Sequence, residues 1–147
     1  MESTAVEERV GVLRGNPGFL ASRFSYLAAK ASDAALAPFD LSIKPYALLE
    51  LASVSPRSQR ELGRILCLDP SRVLRLVDQL TERGSVERVP DAADRRVTLI
   101  RATPSGRRLA VAAAAALAAA TTPLTAGLSA DERAELLRLL GIVALEE

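Results

Sequence analysis

The 147-residue chain contains no histidine and no tryptophan, and its only cysteine is Cys67. The absence of histidine excludes a Ser-His-Asp triad, proton transfer by imidazole and every histidine-ligated metal site. A single cysteine excludes an intramolecular disulfide and a cysteine cluster that holds a metal. These absences argue against an enzyme, and they predict that the protein uses neither a metal ion nor another cofactor.

Long apolar runs and aromatic side chains are also scarce. Aromatic residues make up 3% of the chain although apolar residues make up 49%, and a core of alanine, leucine and valine is typical of helices. The longest apolar run, residues 109–120, is mostly alanine and shorter than the roughly 20 residues of a membrane span. Because the N-terminus is polar and acidic, no signal peptide is predicted. We therefore expect a soluble, cytoplasmic protein with no membrane partner.

Charge is nearly balanced over the whole chain, with a formal net charge of +1. Its distribution is uneven, because residues 57–108 contain 12 arginines against 7 acidic residues. The segments on either side hold more acidic than basic residues. A basic centre between acidic ends is expected when one face of a protein meets DNA phosphates.

The spacing of apolar residues predicts a mainly α-helical fold with a small β-hairpin. The expected helices cover residues 19–36, 45–52, 59–66, 104–121 and 129–145, with a further helix, the fourth in chain order, that is capped by Asp69 or Ser71 and runs to Arg83. The hairpin strands cover residues 86–89 and 97–102. Ser58 followed by Glu61 forms a capping-box pattern before the third helix, and Gly84 ends the fourth. Two short helices on a tight turn, followed by a hairpin, describe a winged helix-turn-helix.

The fourth helix is predicted to bury one face and to expose the other. The buried stripe consists of Val73, Leu76, Val77 and Leu80. The outward residues are Ser71, Arg72, Leu74, Arg75, Asp78 and Gln79. An exposed arginine can bind O6 and N7 of guanine in a major groove, so Arg75 is the predicted base reader. Arg72 would contact a base or a phosphate, Leu74 a thymine methyl and Ser71 a phosphate. The alternative is an amphipathic helix with ordinary surface arginines.

The hairpin tip carries the second candidate site. Asp94 lies two residues before Arg96, so its carboxylate can orient that guanidinium. A pre-oriented arginine on a narrow hairpin suits a minor groove, where negative potential is concentrated. We predict that Arg96 inserts into the groove and that Arg95 contacts phosphate. Three further polar residues, Ser58, Gln59 and Gln79, complete the predicted DNA contacts.

The stretch ELGRILCLDPSRVLRLVDQLTERGSVERVPDAADRRVTLIRATPSG resembles the DNA-binding core of MarR-type transcriptional regulators. The shared pattern is an apolar helix, a recognition helix ending in glycine, a wing with Asp-x-Arg and a closing glycine. Asp94 and Arg96 fall on the wing pair, and Leu74 and Arg75 fall on the family's Thr-Arg pair. The chain departs from the family pattern at Gly63, Leu74, Ser85 and Ala102.

The resemblance implies that residues 1–147 form one protomer of a homodimer. Residues 40–103 would be the DNA-binding lobe, and residues 17–37 and 104–147 would be the helical dimerisation region. Two lobes would then straddle a pseudo-palindromic operator. The resemblance also implies a repressor that is relieved by a small phenolic or lipophilic acid, or by thiol oxidation.

Apolar faces on the last two helices independently predict a partner subunit, since a lobe of this size has little to cover them. The alternative is that these faces pack within the monomer. The effector site is less defined. All five aromatic residues precede residue 50 and either line an effector pocket or belong to the core near a hinge: Phe19, Phe24, Tyr26, Phe39 and Tyr46. Cys67 lies in an apolar run and is expected to be buried, with a redox switch as the alternative.

The two alternatives to a DNA-binding regulator are a protein-binding module and an enzyme. A winged-helix module that binds proteins instead of DNA would have no need for Arg75, Asp94 and Arg96 together. An enzyme would need catalytic groups that the composition lacks. DNA binding is therefore the favoured interpretation.

Overall fold

The computed structural model describes Gly11 and residues 13–145, and it is mainly helical. Within these residues lie six α-helices: α1 (Pro17–Leu36), α2 (Ile43–Val54), α3 (Gln59–Leu66), α4 (Pro70–Glu82), α5 (Pro104–Thr121) and α6 (Ala130–Leu145). Three strands accompany them: β1 (Arg57–Ser58), β2 (Val86–Pro90) and β3 (Thr98–Ala102). Short 3-10 turns cover Leu13–Gly15, Ala37–Phe39 and Thr122–Thr125. The predicted fold class is confirmed.

The chain divides into two compact units. One unit is Ser32–Ala120, which contains α2, α3, α4 and the sheet. Its core is made of fully buried aliphatic side chains: Leu36, Leu48, Leu49, Leu62, Val73, Val77, Leu80 and Ile100. The other unit joins the beginning of the chain to Thr121–Glu147. Its helix α6 has no buried residue.

Capping side chains determine where the two short helices begin. The Ser58 hydroxyl oxygen accepts a hydrogen bond from the Glu61 amide at 3.2 Å, which starts α3 as predicted. The Glu61 carboxylate does not return the bond, because it pairs with Arg57 instead. Asp69 caps α4 by accepting from the Arg72 amide at 2.9 Å. The tight turn between the helices therefore follows from local hydrogen bonds.

Gly63 explains one departure from the family pattern. A Cβ atom at this position would lie 3.0 Å from the Leu68 carbonyl oxygen and 3.3 Å from Val73 Cγ2. The Leu68 amide also donates to the Gly63 carbonyl at 2.9 Å. The turn between α3 and α4 thus packs tightly over this glycine, and a side chain here would press on its neighbours.

The sheet is antiparallel, in the order β1-β3-β2. Gly84, with φ of +67°, ends α4 and leads into β2, as its position in the sequence predicted. The hairpin strands differ from the prediction by one residue at their ends. The sequence did not predict β1, which pairs Arg57 with Ile100 of β3.

Helix α5 needs one correction to the sequence analysis. Together with the following 3-10 turn, residues Pro104–Thr125 are long and apolar enough to cross a membrane, with a mean hydropathy of 1.3. The comparison with the length of a membrane span was made above for residues 109–120 alone, which are only part of this helix. However, Gly106, Ala110 and Ala113 are buried in the core of the Ser32–Ala120 unit. The first half of α5 is thereby part of a globular core.

Candidate DNA interface

Helix α4 has the two faces that the sequence predicted. Val73, Val77 and Leu80 are completely buried, and Leu76 is half-buried against the same core. The residues predicted to face outward are exposed: Ser71, Arg72, Leu74, Arg75, Asp78 and Gln79. Within residues 13–145, Arg75 makes no ion pair, so its guanidinium is available to a ligand.

A small cationic cavity lies beside the exposed face of α4. Lys44 of α2 joins Arg72 and Arg75 in lining a space of about 230 Å³, whose apolar side is formed by Leu68 and Leu76. The Lys44 ammonium donates to the Leu66 carbonyl at the end of α3, at 2.9 Å. Sequence reasoning missed Lys44, because it lies more than 20 residues before α4 and only the fold brings it to this place.

The N-terminus of α4 is already occupied by a carboxylate. The Ser71 hydroxyl donates to Asp69 at 2.6 Å, and this bond and the Arg72 amide hold the pKa of Asp69 below its usual value. The Arg72 Nε atom lies 3.6 Å from the same carboxylate. A phosphate at these amides would meet the Asp69 charge, so the cap weighs against our hypothesis of a Ser71 phosphate contact.

An ion pair joins the recognition helix to the wing. Arg88 of β2 donates to the Asp78 carboxylate of α4 at 2.6 Å. Asp78 is the one acidic residue among the outward positions, where a free carboxylate would repel phosphate. Arg88 compensates that charge and also ties β2 to α4. Asp78 was predicted to be exposed, but nothing in the sequence indicates Arg88 as its partner.

The wing tip has the geometry that the Asp-x-Arg pattern predicts. Arg96 Nε and Nη2 each donate to one oxygen of Asp94, both at 3.0 Å, and the Arg96 amide donates to the same carboxylate. This pairing lowers the pKa of Asp94 and raises that of Arg96, because each charge is stabilised by the other. The Arg96 side chain is nevertheless 91% exposed. It is a pre-oriented cation at an open tip.

The start of α3 offers further polar groups. Ser58 uses its hydroxyl oxygen as the helix cap, whereas Gln59 is half-buried beside an open groove of about 350 Å³. The same groove is lined by Arg60 and Arg64, which are exposed and one turn apart on α3. These arginines were not among the predicted DNA contacts, although their four-residue spacing opposite Leu62 indicates a shared exposed face of the helix.

The five aromatic residues occupy different environments. Phe39 and Tyr46 pack, half-buried, against the core, and burial together with Glu50 raises the pKa of Tyr46. Phe24 and Tyr26 are exposed, and Phe19 is half-buried. The core interpretation therefore describes Phe39 and Tyr46, and it is wrong for the two exposed rings. A cleft of about 490 Å³ in the Ser32–Ala120 unit is lined by other residues, among them Asp40, Lys44 and Gln79.

The expectation that Cys67 is buried is wrong. Cys67 is exposed, and its backbone is left-handed, with φ of 52°. It forms the C-terminal cap of α3, where its amide donates back to the Arg64 carbonyl. The left-handed turn directs the side chain away from the apolar run in which the residue lies. The Cys67 thiol is therefore accessible to solvent, which is what the alternative of a redox switch requires.

A short helix pair with an arginine-bearing outer face, followed by a hairpin with an oriented arginine at its tip, defines the winged helix-turn-helix class. The model of the MarR family matches residues 42–97. An HTH-type transcriptional repressor of Mycobacterium tuberculosis is 30% identical over 124 residues, which is 84% of this chain and 89% of that protein. The chain belongs to the MarR family of transcriptional regulators.

Solved structures agree with this assignment. CouR from Rhodococcus jostii, crystallised with p-coumaroyl-CoA, is 36% identical with a TM-score of 0.83, covering 92% of this chain and 96% of that one. A MarR family protein of Mycobacterium tuberculosis in complex with p-aminosalicylic acid is 28% identical with a TM-score of 0.73, covering 88% and 98%. The family and its mycobacterial relative are transcriptional regulators and not enzymes.

Proposed function

We propose that this protein is a cytoplasmic repressor that binds a pseudo-palindromic DNA operator as a homodimer. The observation that carries the proposal is the oriented, exposed Arg96 on the wing of a unit whose α4 presents Arg72 and Arg75. In this arrangement Arg75 reads a guanine in the major groove and Arg96 enters the adjacent minor groove. Arg72, Arg95, Ser58, Gln59 and Gln79 fix the register through phosphates and base edges.

Binding to DNA is tested with fragments from upstream of the protein's own gene. A labelled fragment should shift at low salt, and the logarithm of the affinity should fall linearly with the logarithm of the salt concentration. No shift with any genomic fragment at low salt would rule the proposal out. Footprinting of a shifted fragment should reveal two half-sites about one helical turn apart.

Removing Arg88 is expected to weaken operator binding by about fivefold, although we assign Arg88 no DNA contact. Arg88→Met leaves the Asp78 carboxylate uncompensated on the face that meets phosphate, a cost on the order of 1 kcal/mol in water. Adding Asp78→Asn to Arg88→Met should recover most of the loss. Fluorescence anisotropy of a labelled operator measures both variants. If the double variant binds no better than Arg88→Met, the compensation argument is wrong.

The proposed dimer uses the apolar surface of α6. Six large aliphatic residues on this helix are exposed in the single chain: Leu137, Leu139, Leu140, Ile142, Val143 and Leu145. Apolar area of this extent on a short helix is expected to lie against a partner. A C2 dimer would cover the same surface on both chains and would space two wings for a two-fold operator.

Charged substitutions on α6 are expected to convert the dimer to a monomer. Leu139 and Val143 lie one turn apart, and Val143 is 83% exposed, so Leu139→Glu with Val143→Glu should cost the isolated fold little. Light scattering should give twice the 15.6 kDa chain mass for the parent and a single mass for the variant. The control is Val54→Glu, at a valine on α2 that is 74% exposed. A variant that keeps the dimer mass would place the interface elsewhere.

We further propose that a small phenolic or lipophilic acid relieves repression. Support comes from the relatives crystallised with p-coumaroyl-CoA and with p-aminosalicylic acid. The side chains proposed to line the effector pocket are the five aromatic ones: Phe19, Phe24, Tyr26, Phe39 and Tyr46. The same anisotropy assay tests the idea, since an effector of this class must release the operator from the parent protein.

A further inference from the structure

Leu74 is an apolar residue on the otherwise polar, outward face of helix α4. It is 46% exposed, whereas Val73 beside it is fully buried. A leucine at such exposure contributes little to the core and keeps apolar surface in water. The core of the fold therefore does not require a leucine at this position.

The polar residues nearest to Leu74 on the helix surface are already engaged within the protein. Positions three before and four after a helical residue are its surface neighbours, and here they are Ser71 and Asp78. Ser71 donates its hydroxyl to Asp69, and Asp78 accepts from Arg88. Leu74 is thus an uncharged, apolar side chain between two polar side chains that already have hydrogen-bond partners within the protein.

The major groove contains one apolar group on its base edges, the C5-methyl of thymine. A leucine side chain has no hydrogen-bond donor or acceptor, so it cannot read the polar groups of any base. Residues in the N-terminal half of a recognition helix reach the base edges, and Leu74 lies there, next to Arg75. Contact between the leucine and a thymine methyl would remove both apolar groups from water.

We propose that Leu74 makes operator recognition depend on the methyl group of one thymine in each half-site. This inference rests on the proposed function, because it needs α4 to lie in the major groove. Arg75 and Leu74 then read adjacent parts of the groove in different ways. Arg75 donates hydrogen bonds to a guanine, and Leu74 packs against a thymine methyl. A hydroxylated residue, as in the family pattern, would retain hydrogen bonding there and would discriminate thymine from cytosine differently.

Replacing thymine by deoxyuridine tests the contact directly, because it deletes the methyl and leaves the base pair unchanged. Each thymine of the footprinted operator is replaced in turn, and the affinity is measured by anisotropy. We expect one position per half-site at which the parent protein binds about fourfold more weakly, the effect of one buried methyl. With Leu74→Ala the thymine and deoxyuridine operators should bind equally. Glu82→Ala, at an exposed position of the same helix with no assigned DNA contact, should keep the parent's discrimination.

The outcomes separate this inference from the proposed function. If the parent binds the operator but no deoxyuridine position weakens it, or if Leu74→Ala keeps the discrimination, Leu74 does not read a methyl group. If the parent binds no DNA at all, the proposed function itself fails. A circular dichroism spectrum like the parent's shows that Leu74→Ala is folded, as expected for an exposed position.

Discussion

Replacing Gly106 with alanine is expected to lower the free energy of unfolding by about 3 kcal/mol or more. Gly106 is buried in the first turn of α5, and a Cβ atom there would lie 1.8 Å from the Ser85 carbonyl oxygen and 2.8 Å from its carbonyl carbon. These are backbone atoms, so the clash cannot be relieved by rotating a side chain.

The backbone around Ser85 is held from several directions, which is why it cannot easily move. The Thr103 amide donates to the Ser85 carbonyl at 3.0 Å, and the Thr103 hydroxyl donates to the Gly84 carbonyl at 2.7 Å. The third hydrogen bond of the set is donated by the Ser105 hydroxyl to the Gly84 carbonyl. A shift of α5 large enough to admit a methyl group would break this set, and each lost bond costs on the order of 1 kcal/mol.

Thermal unfolding followed by circular dichroism measures the effect, and the midpoint should fall by roughly 10 °C or more. Gly15→Ala is the matched control, because this glycine of the first 3-10 turn lies outside the proposed α6 interface and an added Cβ there meets nothing within 4 Å in the chain. That substitution should leave stability unchanged or raise it slightly, since alanine favours a helix over glycine. An unchanged midpoint in Gly106→Ala would show that α5 packs less closely on Ser85 than the structure indicates.

Elements whose ends are set by nearby side chains could be predicted from the sequence. Helix α3 begins and ends where it was expected because Ser58 supplies its cap and the apolar positions follow at helical spacing. The Asp94–Arg96 pair was equally accessible, since two residues of separation on a tight turn bring carboxylate and guanidinium together. In both cases the interacting groups are only two or three residues apart in the sequence, so they are close in space whatever the rest of the fold is.

Features that depend on distant parts of the chain were missed. Strand β1 is only two residues long, and its pairing partner is β3, more than 40 residues later. The partnership of Arg88 with Asp78 requires β2 to fold back along α4. Cys67 was misjudged for a different reason, because hydrophobic continuity says nothing about a left-handed backbone that turns one side chain outward.

The proposed DNA interface contains both pairs that are close in the sequence and pairs that only the fold brings together. Local pairs orient single side chains, as Asp94 orients Arg96, whereas the Arg88–Asp78 pair connects the wing to the recognition helix. An operator that is contacted in both grooves requires both kinds of pair, because helix α4 and the wing must also be held at a fixed spacing. A sequence pattern can therefore identify the residues that touch DNA more readily than those that position them.

Alanine in place of Arg96 is expected to weaken operator binding by about tenfold or more per half-site, as for loss of one specific arginine contact. The loss should be largest at operators with an A·T-rich segment under the wing, where the minor groove is narrow. Anisotropy titrations at two salt concentrations measure it. Arg95→Ala removes the same charge one residue earlier and should have a smaller effect, seen mainly as a shallower salt dependence.

Asp94→Asn provides the more decisive comparison, because two explanations predict opposite signs. If only net charge mattered, removing a carboxylate from the wing would tighten binding to DNA. If Asp94 acts by holding Arg96 in one orientation, the same substitution should weaken specific binding, because the free arginine must be ordered when it enters the groove. We expect weaker specific binding with unchanged or tighter binding to unrelated DNA. Tighter binding to both DNAs would reduce Asp94 to an ordinary surface acid.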